Sequence, residues 1–214
     1  MKRYNVIIGF GISIAVSASA LALSAQTITF DDLNPATLPG GDGTGFEAPI
    51  PSLYDGLQWD NFWVMNATTL YAQYGNNGYY NGLQSANNVA YNGAGNSAAF
   101  SAGAFNLDSA YLTAAWNNGL HVEVQGFVGT TLTYDNTYTL NTTSATAIHF
   151  NYFDVDEVNF IASGGVSAGY DGGGTQFAMD NLIISPVPEP TTMALVGFGG
   201  LATLGMIRRR KCSV

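Results

Sequence analysis

The basic residues of this 214-residue chain are confined to its two ends. They are Lys2, Arg3, Arg208, Arg209, Arg210 and Lys211. Residues 26–187 contain 14 of the 15 acidic residues and no Lys or Arg, so this segment must fold without a Lys or Arg ion pair. A carboxylate buried there needs backbone amides, hydroxyl groups or a divalent cation as its partner, because an unpaired buried charge is costly.

The same acidic segment limits the partners that the protein can have. Proteins that bind nucleic acids neutralise phosphates with Lys and Arg. A segment with 14 acids, in which His121 and His149 are the only ionisable bases, repels phosphates instead. We therefore expect no nucleic-acid partner.

The N-terminus has the three parts of a secretory signal peptide. Two basic residues precede an apolar run at residues 6–16, and the small-residue sequence SASALALSA follows. Cleavage after Ala25 fits this pattern, although neighbouring small residues offer other cleavage points. We assign residues 1–25 to a signal peptide that signal peptidase and the export machinery recognise. The alternatives are a retained N-terminal anchor and a buried core helix.

The C-terminus divides into a short linker, an apolar segment and a basic tail. Residues 185–190 form the linker, residues 191–207 carry no charge, and residues 208–214 begin with four basic side chains. A transmembrane helix over residues 191–207 would be about 25 Å long, slightly short for a bilayer core. The positive-inside rule places the basic tail in the cytoplasm, so we expect the preceding domain on the other side of the membrane.

This tail resembles the PEP-CTERM sorting signal. The resemblance rests on a Pro-Glu-Pro triplet, a Gly-rich apolar segment and a terminal Arg cluster, in that order behind a signal peptide. The matching residues are Pro188, Glu189, Pro190, Arg208, Arg209 and Arg210. The resemblance implies an exosortase as partner, which would process a precursor tethered to the inner membrane. It also implies delivery to the cell surface or extracellular matrix of a Gram-negative bacterium that makes an exopolysaccharide. An ordinary anchor that stays attached is the alternative.

Residues 26–184 contain short strand-like runs separated by turn residues. The predicted strands cover residues 27–30, 57–65, 88–91, 109–116, 120–128, 131–140, 145–150, 157–162 and 176–184. The sequence LHVEV at residues 120–124 alternates apolar and polar residues, and Asn117-Asn118-Gly119 before it predicts a hairpin turn. Many short strands at this spacing favour an all-β ectodomain, specifically a two-sheet antiparallel β-sandwich of the jelly-roll type.

The domain also resembles, in outline, carbohydrate-binding modules of the galactose-binding-like jelly roll. The resemblance rests on the opening sequence ITFDDL at residues 28–33 and the closing sequence FAMDNLII at residues 177–184. In those folds, acids of the first and last strands share a structural calcium ion. The resemblance therefore implies Ca²⁺ ligands at Asp31 or Asp32 and at Asp180. Carboxylate oxygens suit calcium, and the end strands of a sandwich are expected to pair. The alternative is that these aspartates only cap turns.

Aromatic residues next to amides predict contacts with carbohydrate. Residues 71–81, YAQYGNNGYYN, have the composition of a loop that mixes tyrosines with Asn and Gln. Flat aromatic faces stack on the apolar faces of sugars, and amides bond to sugar hydroxyls. The predicted polysaccharide-binding residues are Tyr74, Tyr79, Tyr80 and Asn81, with an exopolysaccharide as the ligand. Three tryptophans are assigned to the core of the sandwich, with stacking on sugar as the alternative: Trp59, Trp63 and Trp116.

The sequence of the domain contains no recognisable catalytic motif. It lacks a cysteine, a GxSxG sequence and an HExxH sequence, and its two histidines are isolated. We interpret the ectodomain as a non-catalytic polysaccharide-binding module. The alternatives are a structural biofilm-matrix protein without a specific ligand, a glycan-active enzyme and an ice-binding protein. Ice binding is suggested by threonines within residues 130–143, but one Thr-rich hairpin does not form a regular flat array.

Overall fold

The computed structural model describes residues 25–187, which form ten strands and two short α-helices. The strands are β1 (Gln26–Ile28), β2 (Glu47–Pro49), β3 (Gln58–Asp60), β4 (Phe62–Asn66), β5 (Asn88–Asn92), β6 (Ala98–Ala114), β7 (Asn117–Val128), β8 (Thr131–Leu140), β9 (Thr146–Ser167) and β10 (Phe177–Pro186). The helices are α1 (Ala67–Tyr74) and α2 (Gly78–Asn81), and a 3₁₀ turn lies at Gly93–Gly95.

Several predictions concern segments outside the described residues. They are the signal peptide up to residue 24, the sorting triplet, the apolar segment at residues 191–207 and the basic tail. Neither helix between residues 25 and 187 has the length and apolar character needed to cross a membrane.

All the strand pairs are antiparallel, which confirms the predicted all-β class. Hydrogen bonds connect the strands in the order β2-β4-β5-β10-β6-β9-β7-β8, with β1 attached to β10 and β3 attached to β6. This path is one open sheet, so its division into the two sheets of a jelly roll stays a prediction. The first and last strands are paired as expected, with Ile28 opposite Leu182.

The predicted hairpin at Asn117-Asn118-Gly119 is wrong. Strands β6 and β7 lie on opposite sides of β9 and do not pair with each other. The hairpin in this region joins β7 to β8, where Val128 pairs with Thr131 and Gly129 has a φ of 59°. An Asn-Gly sequence marks a change of chain direction, but the direction change alone does not specify the partner strand.

Left-handed Asn and Asp residues account for two errors in the predicted strands. The predicted strand at residues 57–65 is divided into β3 and β4 by Asn61, whose φ is 52°. The predicted strands at residues 145–150 and 157–162 are instead parts of β9, which continues through Asn151 and Asp154 at φ values of 52° and 59°. Asn and Asp tolerate this backbone region better than other non-glycine residues, so they can bend a strand without ending it.

The main core is an apolar cluster centred on Phe62, Phe100, Phe160 and Phe177, all nearly inaccessible to solvent. Phe62 and Phe160 meet edge to face with centroids 5.6 Å apart, and Phe160 stacks on Phe177 at the same centroid distance of 5.6 Å. Aliphatic side chains of β7, such as Val122, complete the cluster. The core therefore joins strands that lie far apart along the sheet path.

Strands β4, β5 and β10 have apolar residues on both faces. In β4, Phe62 and Val64 face the main core, whereas Trp63 and Met65 belong to a second cluster on the other face. The second cluster contains Phe46, Met65, Ala67, Leu70, Tyr79, Val89, Tyr91, Ala115 and Ala178, with Trp63 and Trp116 packed against it. Helices α1 and α2 supply part of this cluster, so they cover one side of the sheet here.

The prediction that residues 71–81 form a loop is wrong, because α1 and α2 occupy this segment. Each helix begins at an Asn whose side chain accepts a hydrogen bond from a backbone amide. Asn66 Oδ1 accepts from the amide of Thr69 at 2.9 Å, and Asn77 Oδ1 accepts from the amide of Tyr80 at 3.0 Å. These N-caps satisfy amides that a short helix leaves without partners, so the Asn residues that suggested a loop instead start helices.

Candidate functional site

An open cleft of about 450 Å³ lies over the second cluster, on the face of the sheet opposite the main core. Its walls come from β2, β4, β5, α1, α2, the segments that follow β5 and β6, and the segment that precedes β10. The lining residues are Phe46, Glu47, Trp63, Met65, Leu70, Tyr79, Tyr91, Ala94, Trp116, Gly172, Gly173 and Gln176. We refer to it as the aromatic cleft.

Four aromatic rings form a continuous row along this cleft. The ring centroids are 6.4 Å apart between Trp63 and Tyr91, 5.3 Å apart between Tyr91 and Tyr79, and 5.5 Å apart between Tyr79 and Trp116. The last two contacts are close to perpendicular. Tyr79 and Tyr91 are buried, so the half-buried indoles of Trp63 and Trp116 present the accessible ring area of the row.

Strand register and one close backbone contact bring these four rings together. Trp63 of β4 pairs directly with Tyr91 of β5, so their side chains lie on the same face of the sheet. Tyr79 comes from α2, where the amide of Gly78 donates to the carbonyl of Ala115 at 2.9 Å. A Cβ at Gly78 would overlap the carbonyl of Ala114. Glycine is therefore required for α2 to approach the sheet this closely.

Two other glycines pack against the indole rings of the tryptophans. A Cβ at Gly93 would lie 2.7 Å from Cδ1 of Trp63, and a Cβ at Gly172 would lie 2.5 Å from Cζ3 of Trp116. Both distances are too short for real carbon atoms, so any larger residue would displace the ring. Gly93 and Gly172 thus let the backbone pack directly against the two indoles and hold them in position.

One carboxylate lies among the aromatic side chains. The hydroxyl of Tyr91 donates to Oε2 of Glu47 at 2.6 Å. Burial raises the pKa of Glu47, and the nearby carboxylate of Asp42 raises it further, whereas the hydrogen bond from Tyr91 lowers it. Burial also raises the pKa of Tyr91. Gln176 lines the same cleft, and its buried Oε1 has no hydrogen-bond partner within the described residues.

Of the four predicted sugar-binding residues, only Tyr79 lines the aromatic cleft. Its side chain is 2% exposed, so it forms the floor of the cleft. Tyr80 stacks on Tyr71 with ring centroids 4.1 Å apart, and Tyr74 contacts the edge of Phe46. The side-chain amide of Asn81 donates to the carbonyl of Thr142 at 2.8 Å.

The assignment of all three tryptophans to the core holds only for Trp59. Trp59 is 6% exposed in the main core, whereas Trp63 and Trp116 are half-buried and line the aromatic cleft. The alternation in β4 offers a signal in the sequence: if Phe62 and Val64 face the core, Trp63 must lie on the opposite face. No comparable signal exists for Trp116, which lies outside a strand.

The predicted calcium ligands have separate hydrogen-bond partners. Oδ1 of Asp31 accepts from the amide of Asn88 at 3.1 Å, and Oδ1 of Asp32 accepts from the hydroxyl of Tyr54 at 2.6 Å. Asp180 is buried, and its Oδ2 accepts from the amides of Gln84 at 2.7 Å and Ser85 at 2.9 Å. Burial raises the pKa of Asp180, and these hydrogen bonds lower it.

Asn88, which donates its backbone amide to Asp31, and Asn181, which follows Asp180 in the chain, each have a buried side-chain oxygen that lacks a donor within the described residues. Oδ1 of Asn88 and Oδ1 of Asn181 have no hydrogen-bond partner among residues 25–187. An orphaned amide oxygen is costly when buried, and amide oxygens are suitable ligands for calcium. The described residues contain no group of three or more His, Cys, Asp or Glu side chains placed to hold a metal. A calcium ion here would therefore depend on amide and backbone oxygens in addition to the carboxylates.

Comparison with known proteins identifies the tail. Residues 186–211 match the PEP-CTERM protein-sorting motif, which confirms the resemblance of the C-terminus. The motif marks the chain as an exported protein that is made as a membrane-anchored precursor and processed by an exosortase. No curated protein matches the chain.

Two solved structures of carbohydrate-binding modules are similar to this chain. TmCBM61, determined in complex with β-1,4-galactotriose, is 9% identical with a TM-score of 0.34; the match covers 64% of this chain and 95% of that chain. The N-terminal CBM22-1–CBM22-2 tandem domain of Paenibacillus barcinonensis Xyn10C is 12% identical with a TM-score of 0.38; the match covers 82% of this chain and 50% of that chain. Both similarities are distant.

Proposed function

We propose that the described domain is a non-catalytic polysaccharide-binding module and that the aromatic cleft is its binding site. The observation that carries this proposal is the row of four rings, from Trp63 to Trp116, in a cleft that also holds Glu47 and Gln176. Aromatic faces stack on the apolar faces of pyranose rings, while the polar side chains bond to the hydroxyl groups at their edges.

The size and the pre-formed walls of the cleft fit this use. Its volume of about 450 Å³ lies within the usual range for small-ligand sites. Gly93 and Gly172 fix the two indoles before a ligand arrives, which reduces the entropy lost on binding. The partly unsatisfied Gln176 supplies a hydrogen-bonding group that a sugar hydroxyl could pair.

The chemistry of the cleft favours binding over catalysis. A glycosidase of the common kind holds two carboxyl groups on opposite sides of the bond that it cleaves. Among the residues lining the aromatic cleft, Glu47 is the only carboxylate, and Asp42 lies beside it rather than across the cleft. We therefore propose no enzymatic activity for this domain.

The sorting motif suggests where the module acts. An exported protein with this motif would meet polysaccharide outside the cell, so we propose an exopolysaccharide in the surface layer or matrix of a Gram-negative bacterium as the ligand. In this proposal the sorting motif directs the protein to the outside of the cell, and the domain then binds the protein to the polysaccharide.

Retention on a polysaccharide array tests the proposal directly. The full chain in detergent should be retained on particular glycans, and Trp63→Ala should abolish retention because it removes one end of the ring row. Phe153→Ala is the matched control, since Phe153 is an exposed aromatic residue of β9 that does not line the cleft. Equal retention of the Trp63 variant and the wild type, with both folded, would reject the cleft as the site.

The predicted contacts at Tyr74, Tyr80 and Asn81 are a finer part of the same proposal. Tyr74 contacts Phe46, which lines the cleft, so these residues could extend the site along the helices. Tyr80→Ala should weaken retention without abolishing it. If the Tyr80 variant loses retention and the Trp63 variant does not, the site lies on the helices and not in the cleft.

We also propose that calcium binds near Asp31 and Asp180, where it would meet the unpartnered oxygens of Asn88 and Asn181. Asp32 is the alternative to Asp31 in this proposal, and its Oδ1 accepts from the hydroxyl of Tyr54. The ion would tie β1 to its neighbours, so the melting temperature should fall when EDTA replaces calcium. Asp31→Asn should remove this response, whereas Asp135→Asn on β8 should keep it. An unchanged melting temperature in EDTA would exclude the ion.

A structural matrix protein without a specific ligand is the second candidate, and the edge strand β8 favours it. In the described sheet β8 pairs only with β7, and it has ten residues without Pro, Lys or Arg. Long edges of this kind can pair with another chain. Concentration-dependent association in sedimentation experiments, together with no retention on any glycan, would support this role over the binding module.

A further inference from the structure

We propose that the aromatic cleft selects glycans that carry protonated amino groups, such as deacetylated hexosamine polymers. This inference rests on the proposed polysaccharide-binding function and names the class of sugar that the site takes. It depends on the position of Glu47 among the aromatic rings and on the absence of any internal cation that could neutralise it.

The charge of Glu47 has no cationic partner in the domain. Residues 26–187 contain no Lys or Arg, and neither histidine lines the aromatic cleft. Its hydrogen-bond donor is the neutral hydroxyl of Tyr91, which leaves the negative charge in place. A cation brought by the ligand would therefore be the first opposite charge that this half-buried carboxylate meets.

A second carboxylate and an aromatic ring near Glu47 increase the attraction for a cation. Asp42 lies close enough for its charge to raise the pKa of Glu47, and Tyr79 and Tyr91 are the other titratable groups that face it. The face of the half-buried Trp63, which lines the same cleft as Glu47, carries the negative side of the ring quadrupole. An ammonium group between Glu47 and this indole would gain from the charge and from the ring together.

The charge of the whole domain acts in the same direction at longer range. With 14 acids and no Lys or Arg in residues 26–187, the domain attracts polycations and repels polyanions such as polymers of uronic acids. This field is screened by salt, but contact between an ammonium group and a half-buried carboxylate is screened less. The long-range and contact contributions can therefore be separated by ionic strength.

A neutral sugar could also use Glu47, as a hydrogen-bond acceptor for hydroxyl groups. The difference between the two cases is the effect of removing the positive charge from the ligand without changing the length of the glycan. N-acetylation does this, because it converts the amine of each glucosamine unit into a neutral amide.

The test compares β-1,4-linked hexamers of glucosamine and N-acetylglucosamine by calorimetry with the full chain in detergent, below neutral pH and at low salt. We expect the glucosamine hexamer to bind about tenfold more tightly, with part of the difference persisting in high salt. Glu47→Gln should remove most of the difference, since its amide can still accept from Tyr91 but carries no charge. Asp135→Asn also removes one negative charge, but at the far edge of the sheet, and should preserve the difference in affinity between the two hexamers.

The outcomes separate this inference from the proposed function. Equal or tighter binding of the acetylated hexamer, with loss of binding in Trp63→Ala, would overturn the selectivity and leave the cleft as a sugar site. A preference for glucosamine that Glu47→Gln and Asp135→Asn reduce equally would assign it to the net charge and overturn the role of Glu47. Failure of the chain to bind any glycan would remove the proposed function itself.

Discussion

Strand β4 contributes to two aromatic regions that differ in every other respect. On one face, Phe62 lies in the main core and packs against Trp59, Phe160 and Phe177. On the other face, Trp63 lines an open cleft in which the hydroxyl of Tyr91 donates to the carboxylate of Glu47. The same strand thus contributes to a solvent-excluded core on one face and to a solvent-accessible cleft on the other. The number of aromatic residues alone therefore does not distinguish core packing from ligand binding.

The two faces also differ in how much free energy their rings contribute to folding. Closed rings stabilise the fold through apolar area removed from water, whereas rings that stay partly exposed keep some of that free energy available for a ligand. We therefore expect variants of the core to change stability and variants of the cleft to change binding.

The largest expected effect comes from truncating one residue on each face of β4. Phe62→Ala should destabilise the domain by about 3–5 kcal/mol, because the ring is fully enclosed by Trp59, Phe100 and Phe160. Trp63→Ala should cost roughly 1–2 kcal/mol, because part of its ring already faces solvent. Urea denaturation of both variants measures the two values, and equal losses would contradict the proposed division between core and cleft.

An intermediate effect is expected from Gly172→Ala. The added Cβ would lie 2.5 Å from Trp116, so the indole must move, and we expect a loss of about 1–3 kcal/mol together with weaker glycan binding. Gly103→Ala is the matched control, because a Cβ there would have no neighbour within 4 Å. Binding of the Gly172 variant at the wild-type level would show that the position of Trp116 does not matter for the ligand.

The smallest effect is expected from Glu47→Gln and depends on pH. The pKa of Glu47 in the folded domain lies above its ordinary value of 4.5, so the folded state favours the protonated carboxyl group. The stability that results is fully present below pH 4.5 and is lost as the pH rises through the folded pKa. At neutral pH the variant should therefore be slightly more stable than the wild type, by less than about 1 kcal/mol.

The pH dependence of this difference supplies the check on Glu47. Denaturation midpoints of the wild type and the Glu47 variant should converge as the pH falls towards 4.5. Asp180 also has a raised pKa, but it is present in both proteins and cancels in the comparison. A difference that is the same at every pH would mean that the ionisation of Glu47 is not coupled to folding.

The sequence predicts the class of the fold better than its connections. Alternation and turn residues indicate antiparallel strands, and the bounds of β8 at Thr131–Leu140 agree with the prediction. Pairing is a different matter, because the insertion of β9 between β6 and β7 depends on contacts between distant parts of the chain. The left-handed residues Asn61, Asn151 and Asp154 explain why the bounds of other strands are wrong.

The candidate site could be predicted in its chemistry but not in its location. Composition indicates aromatic and amide side chains suited to sugars, and Tyr79 is the one predicted residue that lines the cleft. The remaining members lie far apart in sequence, since Glu47, Trp63, Trp116 and Gly172 meet only in the folded chain. The contacts of Gly172 with Trp116 have no counterpart in a local sequence pattern.

The confinement of basic residues to the chain ends has a consequence for durability. A protease that cleaves only after Lys or Arg finds no target bond between residues 4 and 207, whether the domain is folded or transiently open. Resistance of this kind comes from composition and does not require high stability. For a protein sorted to the outside of the cell, it would extend lifetime among secreted proteases of that specificity.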